Sequence, residues 1–486
     1  MPFLSKSFSA EKISLWFVLI FFTGLTFFFR NIPFFWDGDL LSQEAHFYFG
    51  NNFSSFVLPP MLDRDGTPVL YAVYLAAAWK LLGKTLLASH IALLPFLLGT
   101  VREYYNLAKK FLSSGMIPFA MLLLIFEPTF TTQSILMGYD IALVCFFLMA
   151  LNALLSSQTK LCALALTLMG LCSVRGIILA ITLMLIHILI LLIVEKKFRL
   201  KEFRFYIFPF LIFTLIAVVH HAQAGWFFIS PSPDYAASRE FVSANMMLRQ
   251  AVYVLWYIGD FGRVVPWLIL TGIFFYLFVI RRQTAGEPSR KLMIILSAMI
   301  AVQILSLSPF SNPVSHRYFI CIMMLSLIVL CHSFELVKLK QSGVMAAVVF
   351  CCVALVTGNF WLYSGGFSNG WDSSLKVLPW FEIKNEMHQY VLGQKINPEE
   401  IGTKFPVYQN TKFTDLSSAD FHYTDMGMNT DENYKYVLLS NISNQFTVEE
   451  KKRLNENWLP VHELQQGQLY LKLFKNPNQV SSGSSE

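Results

Sequence analysis

The sequence predicts an α-helical polytopic membrane protein of 11–13 transmembrane helices, followed by a small extracytoplasmic α/β domain. Three observations predict this class. Over 486 residues the chain is 55% apolar and only 14% charged, whereas soluble domains carry about a quarter charged residues. Apolar runs recur at 13–29, 69–101, 116–127, 139–156, 161–194, 206–221, 250–280, 292–308, 318–334 and 343–363, and a lipid-spanning helix needs about 20 such residues. Beyond Ser364 the material changes: 15 acidic and 11 basic residues follow, with no run long enough to span.

The first run follows Lys6 and Lys12, lacks a small-residue cleavage site and is succeeded by further spans, so it reads as a membrane helix and not as a cleaved signal peptide. The runs at 69–101 and 161–194, of 33 and 34 residues, are too long for one crossing and must be broken. In the second, the break is expected near Arg175-Gly176. Lys and Arg concentrate in REYYNLAKK (102–110), EKKFRLKEFR (195–204), RRQTAGEPSRK (281–291) and ELVKLKQ (335–341), which places these segments and the N-terminus in the cytoplasm. The segments 31–68, 128–138, 222–249, 309–317 and everything after 363 then lie outside. Parity requires an even number of crossings in 161–194 and an odd number in 69–101.

Three divisions follow: a membrane domain over 1–363 whose first outer loop spans 31–68, a soluble domain over 364–478, and a disordered tail over 479–486. Within the soluble domain, YKYVLLS (434–440) and QLYLKLF (468–474) read as strands. TVEEKKRLNEN (447–457) reads as a helix with Thr447 as N-cap and acids in its first turn. The seven cysteines, all in apolar segments, show no disulfide or zinc spacing and act as small hydrophobes. The formal net charge of +6 comes mainly from short basic loops, with no basic patch carrying interleaved aromatics, so nucleic acid is not an expected partner. The lipid bilayer is.

Asp37 and Asp39 follow the first span almost at once, in FFWDGDLL. At the edge of a low-dielectric slab, beside Phe34, Phe35 and Trp36, their carboxyl groups are candidates for general-base work on a hydroxyl; the plainer reading of Asp-Gly is turn chemistry. Glu44, Asp63 and Asp65 share that loop and serve either as ligands of a divalent metal ion or as solubilising charge. Asp140 opens an apolar helix, where a charge is costly unless it meets a cavity or a partner. Arg175 lies between two apolar helical stretches, so it either receives an anion, for which its planar fork is suited, or pairs with Asp140. Arg249 and Arg317 stand at outer helix ends, where snorkelling anchors are common. Three arginines on the outer face oppose the positive-inside bias and ask for an anionic partner. His220, His221 and His316 fall on the same side without clear metal-ligand spacing.

The order of these features resembles the polyprenyl-phosphate-using membrane glycosyltransferases of the C-type (GT-C) fold, in particular the protein O-mannosyltransferase and lipid A aminoarabinose transferase group. Asp37 and Ala45 fit the spacing of an aspartate after the first helix and a small residue eight positions on. DGTPVLYAVYLAAAWKLLG (65–83) is similar to a proline-tyrosine helix start closed by glycine. QSILMGYDIAL places Asp140 as the second aspartate, and MGLCSVRG places Arg175 as the basic residue before glycine. LRQAVYVLWYIGDFGRVVPW (248–267) and Arg317-Tyr318 complete a correspondence over most of residues 13–335. The chain departs from the pattern at Asp37-Gly38, where Asp-Glu is usual, and at Gly66-Thr67-Pro68-Val69, where a basic residue often precedes Pro-Pro. Either Arg64 or Arg175 makes up that lost phosphate contact, or activity is weakened.

The resemblance implies an inverting transfer of a sugar from a polyprenyl-phosphate-linked donor to an acceptor hydroxyl at the outer face of the bacterial inner (plasma) membrane. It implies Asp37 as base, and Arg175 with Arg249 or Arg317 on the departing phosphate. Asp140 would orient an arginine or hold the donor. It does not identify the sugar or the acceptor. A transporter or flippase of lipid-linked sugars would show similar intramembrane acids and arginines, although paired transport repeats are absent from the sequence. A non-catalytic relative acting in envelope assembly would not need Asp37.

Overall fold

In the computed structural model the described residues are 9–479, apart from 56, 64–65, 67–69, 228–229, 233–235, 237–238, 364–367 and 428–432. Arg64, Asp65 and nearly all of the expected tail therefore lie outside them. Among the described residues seven helices are long and apolar enough to cross a membrane, or eight with one sharply bent pair, and four shorter apolar helices stand beside them. The bundle opens with α1 (Ala10–Phe28), α2 (Asp37–Gly50), α3 (Leu70–Leu82), α4 (Leu86–Phe111), α5 (Ile117–Phe126), α6 (Pro128–Ile135), α7 (Asp140–Leu155), α8 (Thr159–Cys172) and α9 (Val174–Leu189). It continues with α10 (Ile207–Ala224), α11 (Ala244–Gly259), α12 (Val264–Phe274), α13 (Glu287–Leu307), α14 (Ile320–Val337) and α15 (Gln341–Gly358).

Both overlong apolar runs are broken. The first is interrupted at Gly83–Thr85 between α3 and α4, and Thr85 caps α4 by accepting from the Ala88 amide. The second breaks at Ser173, two residues before Arg175, where α8 gives way to α9 and Gly176 lies against the Met169 carbonyl. The segment 102–110, expected as a basic loop, is instead the last turns of α4. Its lysines 109 and 110 stand at a helix C-terminus, where the macrodipole favours them. The segment 128–138 is largely helical and buried as far as Met137, because its Thr, Gln and Ser side chains find partners within the fold.

Two long helices define the ends of the bundle. At the start of α4 the His90 ring meets the Ile32 carbonyl at 3.1 Å. At its far end the Phe111 carbonyl meets His332 at 3.0 Å, and the Ser113 amide donates to Glu335 at 2.8 Å. Residues after α15 return to the first of these ends. They form α16 (Pro379–Gly393), α17 (Thr411–Thr414), α18 (Val448–Asn457) and a five-stranded sheet of order β2-β1-β3-β5-β4. Its strands are β1 (Ile401–Thr403), β2 (Thr424–Asp425), β3 (Tyr436–Ser440), β4 (Leu459–Gln466) and β5 (Leu469–Lys475). β1 runs parallel to β2 and β3, and β5 is antiparallel to β3 and β4. The expected strands and helix are present, and Thr447 and Glu450 form a reciprocal capping box.

The sheet module is not detached from the bundle. Phe35 and Leu136 share an apolar core with Trp371, Val377, Trp380 and the sheet residues Leu438, Leu471 and Leu473. α2 is tied to residues 409–414 by Phe34 N–H to Thr414 O (2.8 Å), Ser42 Oγ to Phe413 O (2.7 Å) and Gln409 Nε2 to Trp36 O (2.9 Å).

Between α11 and α12 the chain bends by 97° and docks on the end of α15 through two glycines. A Cβ on Gly262 would stand 1.9 Å from the Ala354 carbonyl oxygen, and one on Gly358 would stand 2.0 Å from Phe261 backbone atoms. Neither neighbour is a flexible side chain, so neither can give way. Gly262→Ala and Gly358→Ala should each lower stability by about 1–3 kcal/mol, the usual cost of overpacking, read as a lower melting temperature of the purified protein in detergent. Gly272→Ala, with open space around its Cβ, is the neutral control.

Candidate active site

The polar centre forms where the sheet module meets the bundle. Trp36, at φ +57°, turns the chain sharply after α1, so that α2 begins at Asp37. Both Asp37 and Asp39 occupy its first turn, where the positive end of the helix dipole favours acids. Gly38 gives the family departure a packing reason, because a Cβ there would stand 2.5 Å from the Met137 carbonyl oxygen. The absent side chain lets the start of α2 press onto the segment that leads into α7, whose first residue is Asp140. From the other direction, His316 and Arg317 begin a short 3-10 turn that runs into α14.

Arg317 lies at the middle of these elements. Its Nη2 donates to Asp37 Oδ2, its Nη1 meets Asp140 Oδ2 at 3.2 Å, and Asp372 Oδ2 stands 2.8 Å from its Nε. The last contact is an ion pair at an angle that does not make a hydrogen bond. Asp140 Oδ1 accepts from Arg175 Nη1 at 2.7 Å, so one buried carboxylate bridges two guanidiniums. The Arg175 guanidinium lies over the Tyr318 ring, 4.2 Å from its centroid, and over the Tyr139 ring at 5.0 Å. The side chains of Arg317, Asp140 and Asp372 are 2–6% exposed, Arg175 18% and Asp37 28%. Asp37 is thus the member most open to solvent. Beside the cluster a cavity is lined by Asp140, Arg175, Arg317, Tyr318, Gln303 and Leu179. The Arg175 Nη2 is buried with no hydrogen-bond partner.

Of the residues expected from sequence, Asp37, Asp140, Arg175 and Arg317 converge here. The Arg175–Asp140 bridge that the sequence allowed is formed, and it leaves half of the Arg175 fork unused. Asp39 points elsewhere. It is buried, accepts from Gln43 Nε2 at 2.9 Å, and lies in the field of Lys384 and Asp415 from the C-terminal module. Arg249 is exposed on α11, and among the described residues no ion pair joins it to the cluster. His220 pairs with Asp63 at 2.7 Å, His221 stacks on Phe227 at 4.0 Å, and Glu44 is buried in α2. No group of three or more His, Cys, Asp or Glu side chains among the described residues is spaced to hold a metal ion.

Sequence reasoning missed four groups around the cluster. Asp372 was assigned to the soluble domain, yet it faces Arg317. Glu127 meets Arg263 at 2.5 Å, and Thr129 also accepts from that guanidinium. Asp260 accepts from His316 Nε2 at 2.7 Å and from the Tyr363 hydroxyl. Lys376 lies over the Phe261 and Trp371 rings and donates to the Trp361 carbonyl; burial pulls it down to about 7. For Glu127 the signal was present: an acid between apolar runs, in IFEPTF, follows the same rule that singled out Asp140.

The Asp39 environment makes a pH prediction. Burial raises its carboxyl from 3.8 to about 7, so the folded chain keeps a proton that the unfolded chain releases near pH 4. The unfolded state then binds fewer protons between these values, and the Asp39 contribution to stability falls as pH rises from about 4 to about 7, then levels off. Melting temperatures of the wild type and Asp39→Asn should therefore diverge over that window, with the wild type losing stability relative to the variant as pH rises. A constant difference would place the ionised carboxylate comfortably in its site and refute the assignment.

No protein-family model matches the chain, and no curated protein does. Solved structures share its fold. ArnT from Cupriavidus metallidurans bound to undecaprenyl phosphate aligns over 94% of this chain and 97% of its own, with a TM-score of 0.56 and 11% identity. The same protein in the apo state aligns over 96% and 98%, with a TM-score of 0.55 and 12% identity. Across nearly its whole length, sheet module included, this chain has the GT-C fold of the lipid A aminoarabinose transferase ArnT.

Proposed function

We propose that this chain is an integral membrane glycosyltransferase that moves a sugar from a polyprenyl-phosphate-linked donor to an acceptor hydroxyl on a lipid, glycan or protein. The observation that carries the reading is the Arg175–Asp140–Arg317–Asp37 cluster, set beside a cavity in a fold shared with a protein solved with undecaprenyl phosphate. The unused Nη2 of Arg175 and the fork of Arg317 are the donors that receive the lipid phosphate, and Asp37 leaves Arg317 as it arrives. Asp37 then takes the proton of the acceptor hydroxyl. The acceptor oxygen bonds to the anomeric carbon on the face opposite the phosphate, the carbon–oxygen bond to phosphate breaks, and polyprenyl phosphate departs with the electron pair. The two guanidiniums stabilise the charge that grows on it.

The chain lies in the bacterial inner (plasma) membrane with its N-terminus in the cytoplasm and the sheet module outside. This orientation is supported by the basic segment 335–341, which spans the end of α14 opposite the cluster. Residues 1–363 then form the membrane domain and 364–478 the extracytoplasmic one.

The test is sugar release in detergent, with a panel of polyprenyl-phosphate sugars as donors and membrane extract as acceptor. Wild type should release polyprenyl phosphate. Asp37→Asn should lower the rate by about 10²–10⁴, the usual worth of a general base, with donor binding retained, while Asp39→Asn stays near wild type. Donor binding without release by wild type under every condition would replace the transferase with a transporter or an assembly scaffold.

A further inference from the structure

Gln303 lines the cavity beside the cluster and has no part in the reading above. It stands near the end of α13, in the apolar stretch AMIAVQILSL, and is 7% exposed. A polar side chain in such a helix costs stability unless it is hydrogen-bonded. The Gln303 amide has no hydrogen-bond partner among the described residues and opens into the cavity. α13 packs against α9, which carries Arg175, and against α14, which follows Arg317, so the amide is held toward both arginines.

The cavity has two kinds of wall. Arg175 and Arg317, with the Tyr318 ring, make one; Leu143, Val144, Leu179 and Ile320 make the other. Such a pairing suits a group that is anionic at one end and apolar at the other. Asp140, the acid in the lining, has both oxygens taken by the two guanidiniums. The Gln303 amide and the Arg175 Nη2 are therefore two unused donors in one cavity.

We propose that Gln303 is a phosphate-recognising residue of the donor site, whose amide N–H donates to an oxygen of the polyprenyl phosphate received by Arg175 and Arg317. The proposal rests on the reading of that cavity as the phosphate site. A phosphate oxygen accepts, so it meets the N–H end of the amide. An uncharged donor adds a hydrogen bond without burying a further charge. An amide kept for a ligand costs the fold and helps binding, so its removal moves stability and affinity in opposite directions.

Gln303→Met tests this, because it keeps the length of the side chain, nearly conserves its volume and removes the amide. Binding of undecaprenyl phosphate to the full chain in detergent should weaken about 10-fold. The melting temperature without lipid should stay equal or rise, and binding of undecaprenol, which lacks the phosphate, should not change. Unchanged affinity for undecaprenyl phosphate, or an equal loss for undecaprenol, overturns the inference. A lower melting temperature overturns it too, since the amide would then be bonded within the fold. If Gln303→Met does not fold, Gln303→Glu keeps the shape and sets a carboxylate against the phosphate. It should weaken undecaprenyl phosphate binding at least as much, and an unchanged value overturns the inference. A wild type that binds with these differences yet releases no polyprenyl phosphate from any donor defeats the transferase reading and leaves the role of Gln303 standing. A wild type that does not bind undecaprenyl phosphate defeats both.

Discussion

One guanidinium shared among three aspartates fixes the way this chain closes. Asp37, Asp140 and Asp372 come from the start of α2, the start of α7 and the stretch beyond α15, and all meet Arg317. A buried charge left unpaired costs several kcal/mol, so every element that carries a member must arrive in register. The neighbouring charges obey the same constraint. Glu127 on the break between α5 and α6 answers Arg263 at the start of α12, and Asp260 on the α11–α12 bend answers His316 and Lys376. These pairs tie the bundle to itself at the end where the sheet module sits.

Close backbone approach is what makes the convergence geometrically feasible. Gly38 against the Met137 carbonyl brings α2 to the start of α7, so two acids from distant segments reach one arginine. Gly262 against Ala354 seats the bend that carries Asp260 and Arg263 on the end of α15. The module then covers this end with apolar side chains: Phe35 and Leu136 share the core of Trp371 and Trp380. That cover lowers the local dielectric, and the ion pairs beneath it act more strongly than they would in water.

Much of this was legible in the sequence where a single local rule decides. Composition and run length gave the helical membrane class, and the overlong runs gave both breaks. The capped helix at 448–457 and the strands at 436–440 and 469–475 followed from periodicity and capping chemistry. Asp140 and Arg175 were legible because charge inside apolar sequence is costly. What was not legible depended on long-range packing. Asp372 lies in SNGWDSS, a polar stretch with no apolar context to make its charge conspicuous, and only the fold carries it to Arg317. The buried helix at 128–135 looked like a loop because it is polar, and two of its side chains, Thr129 and Gln133, are satisfied by the carbonyls of Ser373 and Asp372, residues about 240 positions away. Asp37 and Asp39 are two residues apart in one helical turn, and such neighbours do not share a face. The structure separates them, Asp37 toward Arg317 and Asp39 toward Lys384.

The gradient of exposure across the cluster also bears on how a lipid-linked substrate would be handled. A donor of this kind carries a prenyl chain that belongs among apolar helices, a phosphate that needs cations, and a sugar that must meet a polar acceptor. Each kind of environment is present: exposed apolar side chains on helices such as α10 and α11, two arginines in the cluster, and Asp37 as its most exposed member. A base placed deeper would be cut off from a hydroxyl arriving from water, and cations placed shallower would be screened before they could hold a departing phosphate. On the proposed reading, Arg317 keeps Asp140 and Asp372 beside it while a lipid phosphate arrives, so the guanidinium is never buried alone.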